Sequence, residues 1–319
     1  MQQFSNALVI VDTNRTGTSA LQKAASIAKS GEVELTIASV LEEIPSERQM
    51  RSLRVSSEKI QDIVKALEME RLTDRINESG EHVDSCAKQI LFGRAAPEII
   101  RQVLRGKHDL LVKDVEIPDE MLDVFLGSTD MHLLRKCPCP VLISWPGRVR
   151  FNRVLACVDY DPGNAQNEAL NRKIIEIASS LASKDAGEVH VIHAIEPFGE
   201  KILRAVNAVN DETDFEELSD AEKSTRGDWL EALLADSTGA DADQETAPGY
   251  TQHLIKGLAR DVVLVKAREL NADLIVLGTL SRTGIPGYFI GNTSENILNQ
   301  VRCSVLTLKP EGFVSPVTL

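Results

Sequence analysis

Short apolar segments alternate with longer amphipathic segments along the whole chain. Ten apolar segments predict strands, near residues 7–12, 34–40, 84–91, 109–113, 141–145, 153–159, 188–195, 250–256, 273–278 and 304–309. Between them, apolar residues recur every three or four positions, as at Ile60, Ile63, Val64 and Leu67, which predicts helices. Apolar strands that alternate with helices are typical of parallel sheets covered on both faces, so the pattern predicts an α/β fold with doubly wound sheets.

The second half of the chain repeats the first. Residues 6–12 (NALVIVD) resemble residues 153–159 (RVLACVD), and each segment is an apolar strand that ends in aspartate. Three later residue pairs share one offset of 164 positions: Asp109 and Asp273, Gly127 and Gly291, and Cys139 and Cys303. A constant offset over this distance indicates a tandem duplication. We therefore predict two five-stranded domains, residues 1–147 and 148–319, which join near the Pro-Gly pair that follows Trp145.

A glycine-rich stretch in the second repeat carries the clearest candidate chemistry. The apolar run 274–277 stops at Gly278, a loop with glycines and a proline follows, and polar residues after Gly291 lead into a helix. This arrangement can hold a phosphate, because glycine lets the backbone approach the ligand and the helix N-terminus offers free N–H groups. Glycines that serve only to turn the chain are the alternative interpretation.

Composition narrows the classes of function. The chain is 43% hydrophobic and 26% charged, with a formal net charge of −13 and a pI of about 5.0. This acidity argues against general nucleic-acid binding, which depends on lysine and arginine. No apolar run reaches the roughly 18–20 residues of a membrane span, and residues 1–6 lack the features of a signal peptide. We therefore predict a cytoplasmic protein with neither a nucleic-acid nor a membrane partner.

The sequence predicts no metal site and no catalytic residues. The five cysteines include no C-x-x-C pair, which favours a reducing compartment. Cys137 and Cys139 are interpreted as small apolar residues at the start of a buried strand, and a metal or redox role with nearby His132 is the alternative. The acidic insert within residues 211–245 lacks the EF-hand pattern. No nucleophile elbow, zinc-protease motif or Walker lysine is present, which leaves a weak ATPase activity as an alternative.

Two histidines, His190 and His193, lie on one predicted strand. We interpret them as sharing one face of that strand, which would allow a paired role. Histidines held by ordinary hydrogen bonds in the protein interior are the favoured alternative.

The glycine loop and the aspartate that closes the first strand resemble the universal stress protein family. The matching pattern is a strand, Gly-x-x-Gly, nine residues, then Gly-Ser or Gly-Thr and a helix. The duplication is similar to the tandem members of that family. The resemblance implies domains of the adenine nucleotide alpha hydrolase-like, or flavodoxin-like, type. It also implies pairing of the two domains along their last strands, which would give an internal pseudo-dimer.

The resemblance implies an adenine-nucleotide site in the second repeat. Gly278 matches the first glycine of the family motif, Ser281 stands at the second, and Gly291 follows after nine residues. The implied site residues are Asp159 and Ala194 beside the adenosine, and Gly278, Ser281, Arg282, Gly291, Asn292 and Thr293 around the phosphates. Some family members bind no nucleotide. ATP, or another adenine nucleotide with its associated Mg²⁺, is therefore the expected cofactor only of this second domain.

The first repeat has lost the glycine loop. The offset of 164 places Asp114 where the second repeat has Gly278, and Ile117 where it has Ser281. Five carboxylates then lie near the expected phosphate position: Asp114, Glu116, Asp119, Glu120 and Asp123. Because like charges repel, we predict that the first domain does not bind ATP in the family manner.

Three hypotheses for the function follow, and the third is the ATP hydrolysis named above. The leading one is a tandem universal stress protein that acts in the stress response by ligand binding, without being an enzyme. The alternative is a regulatory or scaffold protein that binds no nucleotide and engages a protein partner. A variant of this alternative binds an apolar small molecule between the domains. Whether two pseudo-dimers associate into a homodimer is left open.

Overall fold

The computed structural model describes residues 4–15, 17–29, 33–41, 57–80, 86–116, 126–196, 212–237, 249–279 and 291–319. The first half contains β1 (Asn6–Ile10), α1 (Ser19–Lys29), β2 (Glu34–Leu41), α2 (Ser57–Glu78), β3 (Cys86–Phe92), α3 (Ala95–Gly106), β4 (Leu110–Asp114), α4 (Ser128–Lys136) and β5 (Val141–Ser144). The second half contains β6 (Arg153–Cys157), α5 (Ala165–Lys184), β7 (Glu188–Ile195), α6 (Glu212–Ser237), β8 (Tyr250–Lys256), α7 (Ala259–Glu269), β9 (Leu274–Gly278), α8 (Asn292–Leu298) and β10 (Ser304–Leu308). All ten predicted strands are confirmed.

The strands form one sheet in the order β3-β2-β1-β4-β5-β10-β9-β6-β7-β8. Within each half the neighbouring strands are parallel, and the order is that of a doubly wound domain. The halves meet where β5 and β10 pair antiparallel, with Leu142 opposite Leu306. Both the predicted fold class and the predicted pairing along the last strands are therefore confirmed.

The strand residues alternate between two apolar cores, one on each face of the sheet. Val9, Val112 and Val191 face the side covered by α1, α2, α5 and α6. Leu8 and Ile192 face the side covered by α3, α4, α7 and α8. Because both faces are covered, the strands read as continuous apolar runs, which explains why the sequence revealed them.

Helix α2 is confirmed, but two of the four apolar residues that predicted it lie exposed. Ile63 and Leu67 are 57% and 51% exposed. The helix instead buries Leu72 and Ile76, together with the carboxylate of Glu68. The helix therefore packs through its later turns. Leu72 and Ile76 give a weaker helical pattern in the sequence than the four apolar residues of the earlier turns.

Two lysines cross the boundary between the halves, the buried Lys23 from one side and the half-buried Lys309 from the other. The Nζ of Lys23 on α1 donates to the Oγ of Ser304 at 2.6 Å and to the Oγ of Ser144 at 3.0 Å. The Nζ of Lys309, after β10, donates to the carbonyl oxygens of Leu134 and Arg135 at the end of α4, at 2.7 and 3.1 Å. Polar contacts therefore join the halves in addition to the β5–β10 pairing.

Candidate functional site

The candidate site of the second half lies where the sheet order reverses. Strands β6 and β9 are neighbours in the sheet. The strand that follows β6 in the chain, β7, lies on the far side of β6, and the strand that follows β9, β10, lies on the far side of β9. Asp159 follows the carboxyl end of β6, and Gly278 forms the carboxyl end of β9. Crevices at such positions are where open parallel sheets bind ligands. The structure thus brings these two predicted residues to one edge of the sheet.

Gly278 has a packing role that is independent of any ligand. A Cβ atom at this position would lie 2.7 Å from Cδ2 of Leu170 on α5. Its carbonyl oxygen accepts a hydrogen bond from the Oγ of Ser294 at 3.0 Å, which ties the end of β9 to the first turn of α8. Close packing of α5 therefore explains the glycine as well as a ligand would.

Gly291, Asn292 and Thr293 lie at the start of α8. Gly291 precedes the helix with φ −57° and ψ 140°, an extended conformation open to any residue. Asn292 is exposed, while Gly291 and Thr293 are half-buried. The structure therefore presents the start of α8 at the same edge of the sheet as Gly278. Ser281 and Arg282 lie outside the described residues, so their roles stay predictions.

Two asparagines of α5 fix the turn that carries Asp159. The backbone N–H of Asp159 donates to Oδ1 of Asn171 at 3.0 Å, and its carbonyl oxygen accepts from the side-chain amides of Asn171 and Asn167, each at 2.7 Å. Asn167 and Asn171 are buried. These hydrogen bonds fix the backbone of Asp159, and so they place its side chain at the end of β6. Ala194 is half-buried near the end of the adjacent strand β7.

The interpretation that His190 and His193 share a face is wrong. They are three positions apart on one strand, and residues an odd number apart point to opposite faces. His190 pairs with His253 on β8, with 3.0 Å between Nδ1 and Nε2. His193 instead lies 3.1 Å through Nδ1 from the carbonyl oxygen of Val158, and Arg226 approaches its Nε2 at 3.0 Å. The carbonyl oxygen of Val158 accepts and the Arg226 guanidinium donates, and these contacts fit the His193 tautomer that carries its proton on Nδ1.

In the first half, the equivalent place is filled by the chain's own charges. The Nζ of Lys113 lies 2.9 Å from Oδ1 of Asp130 and 3.2 Å from Oε1 of Glu116. A Cβ atom on Gly127 would lie only 2.2 Å from the Glu116 carboxylate, so that carboxylate occupies the start of α4. Burial alone would lower the pKa of Lys113, but Asp130 and Glu116 outweigh it and hold that pKa above its usual value.

The Asp114 carboxylate contacts α1. Its Oδ1 accepts from the backbone N–H of Ala20 at 2.8 Å, so the carboxylate lies at the first turn of α1. The expectation of carboxylates that simply repel one another needs correction for Asp114 and Glu116, because each has a donor or cation beside it. Asp119, Glu120 and Asp123 lie outside the described residues.

Comparison with known proteins decides the family. The model of the universal stress protein family matches residues 3–144 and 150–309, which include both repeats. The chain belongs to the universal stress protein family. Universal stress protein E of Escherichia coli strain K12 is 31% identical over 237 residues, which cover 73% of this chain and 70% of that protein. A Haemophilus influenzae homologue of universal stress protein E is 25% identical and covers 97% of this chain and 98% of its own.

Solved structures show the same fold. A putative universal stress protein from Pseudomonas aeruginosa has a TM-score of 0.71 at 23% identity and covers 98% of this chain and 95% of its own. A universal stress protein from Archaeoglobus fulgidus has a TM-score of 0.59 at 19% identity and covers 96% of this chain and 99% of its own. The chain therefore is a tandem member with two universal stress domains, called domain one and domain two below.

Sequence reasoning missed the residues that organise both universal stress domains. Lys113 reads as an ordinary strand residue, and Asp130 as an ordinary helix residue, so only folding shows that they pair. Asn167 and Asn171 lie one helical turn apart, a spacing that could have pointed to one polar contact, but not to Asp159.

The structure adds facts about the cysteines and about membranes. Cys137 and Cys139 are buried before β5, as predicted, with their Sγ atoms 3.5 Å apart. Their hydrogen bond and their burial raise the pKa of the Cys139 thiol well above its usual range.

Within the described residues, no three metal-binding side chains gather in a suitable arrangement. None of the described helices is long and apolar enough to cross a membrane.

Proposed function

We propose that this tandem universal stress protein acts in the stress response by binding an adenine nucleotide in domain two alone. The difference between the two domains carries the proposal. In domain one, the Glu116 carboxylate, held by Lys113, occupies the start of α4. In domain two, the offset of 164 puts Leu277 in place of Lys113 and Ser294 in place of Asp130, so this charged group is missing at the equivalent helix start. An anion from outside the chain could therefore bind at the start of α8 in domain two. At the start of α4 in domain one, the Glu116 carboxylate already occupies that place.

Different residues of domain two would bind different parts of the nucleotide. The backbone N–H groups after Gly291, with Thr293 and the predicted Ser281 and Arg282, would receive the phosphates. Asp159 would accept hydrogen bonds from the hydroxyl or amino groups of the adenosine. Ala194 would contribute only its backbone and a small side chain beside the base. Mg²⁺ would enter with ATP, bound by the phosphates rather than by a protein cage.

Calorimetric titration of the full chain with MgATP tests this proposal. We expect one site per chain, and an Asp159→Ala variant should bind about tenfold or more weakly, since one charged hydrogen-bond acceptor contributes about 1.5–3 kcal/mol. Asp12→Ala is the matched control, because Asp12 closes the equivalent strand of domain one. Loss of binding in Asp12→Ala with full binding in Asp159→Ala would overturn the assignment to domain two.

The packing of Gly278 against Leu170 favours a second candidate function. If that contact alone explains the glycine, the chain is a regulatory or scaffold protein that binds a protein partner, or an apolar small molecule between its domains. Native mass spectrometry of the purified protein separates the two candidates, because it reports ligand and stoichiometry together. A bound adenine nucleotide supports the first candidate. Phosphate release above background that falls in Asp159→Ala would instead make the protein an ATPase.

A further inference from the structure

Four side chains form a continuous cluster beside the proposed adenosine position of domain two. Tyr160 follows Asp159 along the chain, and His193 precedes Ala194. Arg226 and Trp229 reach both from helix α6. We call these four residues the aromatic wall. Through Tyr160 and His193, the wall is attached to the two backbone positions that the family resemblance places beside the adenosine.

The contacts within the aromatic wall are those of edge-to-face rings beside a guanidinium. The Cζ of Arg226 lies 4.9 Å from the ring centroid of Tyr160, and its Nη2 donates to Glu222 at 2.6 Å. The ring of Trp229 meets the ring of Tyr160 at 5.1 Å and that of His193 at 5.2 Å, both edge-to-face. The cluster is thus ordered by its own contacts before any ligand arrives.

Domain one has a different structure at the equivalent place. Thr13 follows Asp12 as Tyr160 follows Asp159, and Ser39 is the sixth residue of β2 as His193 is the sixth of β7. Glu68 precedes the buried Leu72 by four residues, as Arg226 precedes the buried Leu230.

In domain one, the polar groups of Thr13, Ser39 and Glu68 satisfy one another's hydrogen bonds. The hydroxyls of Thr13 and Ser39 both donate to Oε1 of Glu68, at 2.5 and 2.6 Å, and Glu68 is only 3% exposed. Domain one therefore needs no aromatic residue to hold α2 against the sheet. The same fold position carries rings and a cation only in the domain proposed to bind a ligand.

The aromatic wall also retains surface toward solvent. His193 is buried, but Tyr160, Arg226 and Trp229 are each only half-buried. Aromatic rings and guanidinium planes stack on nucleobases, and each stacked base contributes about 1–3 kcal/mol. A flat, uncharged ring is the chemistry that such a surface recognises, since Glu222 already offsets the charge of Arg226.

We propose that the aromatic wall is the base-stacking surface of the domain-two site, with Tyr160 and Trp229 as contact residues. The wall makes the nucleobase, rather than the phosphates, the larger source of affinity, so the site prefers nucleosides and nucleotides to free polyphosphate. This inference rests on the proposed nucleotide binding, and it assigns residues and a ligand preference that the glycine motif does not supply.

Tryptophan fluorescence tests the contact directly. The chain has two tryptophans, Trp145 and Trp229, so a Trp145→Phe variant leaves Trp229 as the only reporter. Adenosine should change the emission of this variant with saturation, and should leave the emission of a Trp229→Phe variant unchanged. Saturating adenosine binding without any change in the emission of Trp229 would overturn the inference.

Tyr160→Leu tests the ligand preference. We expect this variant to bind both adenosine and ATP about tenfold more weakly, while its affinity for inorganic triphosphate stays unchanged. Thr13→Ala, at the equivalent position of domain one, should leave all three affinities unchanged. Arg226→Gln provides a second variant in case Tyr160→Leu does not fold.

The outcomes separate the inference from the proposal beneath it. A Tyr160→Leu protein that melts at a lower temperature but binds adenosine normally would show that the wall only holds α6 in place, which overturns the inference. Normal ATP binding in both wall variants has the same meaning, while nucleotide binding itself stands. If wild-type protein binds neither ATP nor adenosine, the proposed function fails, and the inference fails with it.

Discussion

Replacing Lys23 with methionine probes how the boundary between the domains is stabilised. Lys23 is fully buried, and its ammonium group spans from α1 of domain one to Ser304 of domain two. Burial lowers the pKa of Lys23 from 10.5 to about 8, although the nearby Asp114 carboxylate partly offsets that shift. Methionine has a similar length and no charge, so the variant removes the titration with little change in packing volume.

The sign and size of the effect follow from the two pKa values. Between pH 8 and 10.5 the unfolded chain holds a proton on Lys23 that the folded chain has released, so the free energy of unfolding rises with pH there. The rise is about 1.4 kcal/mol per pH unit and about 3 kcal/mol in all. Burial also lowers the pKa of Lys309 to about 8, which adds a second contribution of the same sign. Burial raises the pKa values of the Cys139, Cys157 and Cys303 thiols, which lowers the free energy of unfolding above about pH 9 in wild type and variant alike. The prediction therefore concerns the difference: between pH 8 and 10.5 the wild-type slope should exceed that of Lys23→Met by about 1.4 kcal/mol per pH unit.

Urea unfolding of both proteins at several pH values from 7.5 to about 10 measures this difference. Lys29→Met is the matched control, because Lys29 lies exposed at the end of the same helix and should keep the wild-type slope. Equal pH slopes in wild type and Lys23→Met would refute the reasoning. That result would mean that Lys23 reaches water in the folded protein.

Two further predictions concern stability within each domain. Asp130→Ala should lower the free energy of unfolding by about 3–5 kcal/mol, because it leaves the buried Lys113 cation without its nearest partner. Adding Lys113→Met to Asp130→Ala should recover most of the loss in the same urea titration, and no recovery would contradict the pairing. Gly278→Ala should cost about 1–3 kcal/mol through its clash with Leu170. A double-mutant cycle with Leu170→Ala should show favourable coupling, and strict additivity would argue against the contact.

The sequence predicted the fold because the relevant signals are local or repeated. Each buried strand is a continuous apolar run, and the constant offset of 164 aligns the two domains without any structural information. The β5–β10 pairing came from the family resemblance instead. Nothing in the apolar pattern of Val141–Ser144 or Ser304–Leu308 specifies an antiparallel neighbour.

The details of the sites depend on contacts between distant positions, which one sequence does not encode visibly. The Glu68 carboxylate accepts hydrogen bonds from Thr13 and Ser39, which lie 55 and 29 residues earlier in the chain. Charge at a helix position usually indicates a solvated face, so the reading of α2 favoured Ile63 and Leu67 as the packed residues. In the structure, the face of α2 that carries Glu68, Leu72 and Ile76 packs against the sheet instead.

The two domains have diverged around one shared requirement, the pairing of their last strands. Every residue of β10 is buried, and β5 covers the edge that β10 would otherwise expose. Domain one meets this requirement whether or not it binds a ligand. Its internal charges, Lys113 with Asp130 and Glu116, hold the start of α4 in place, as a bound phosphate would at the equivalent position of domain two. A domain one closed by its own charges therefore preserves the sheet on which the proposed site of domain two depends.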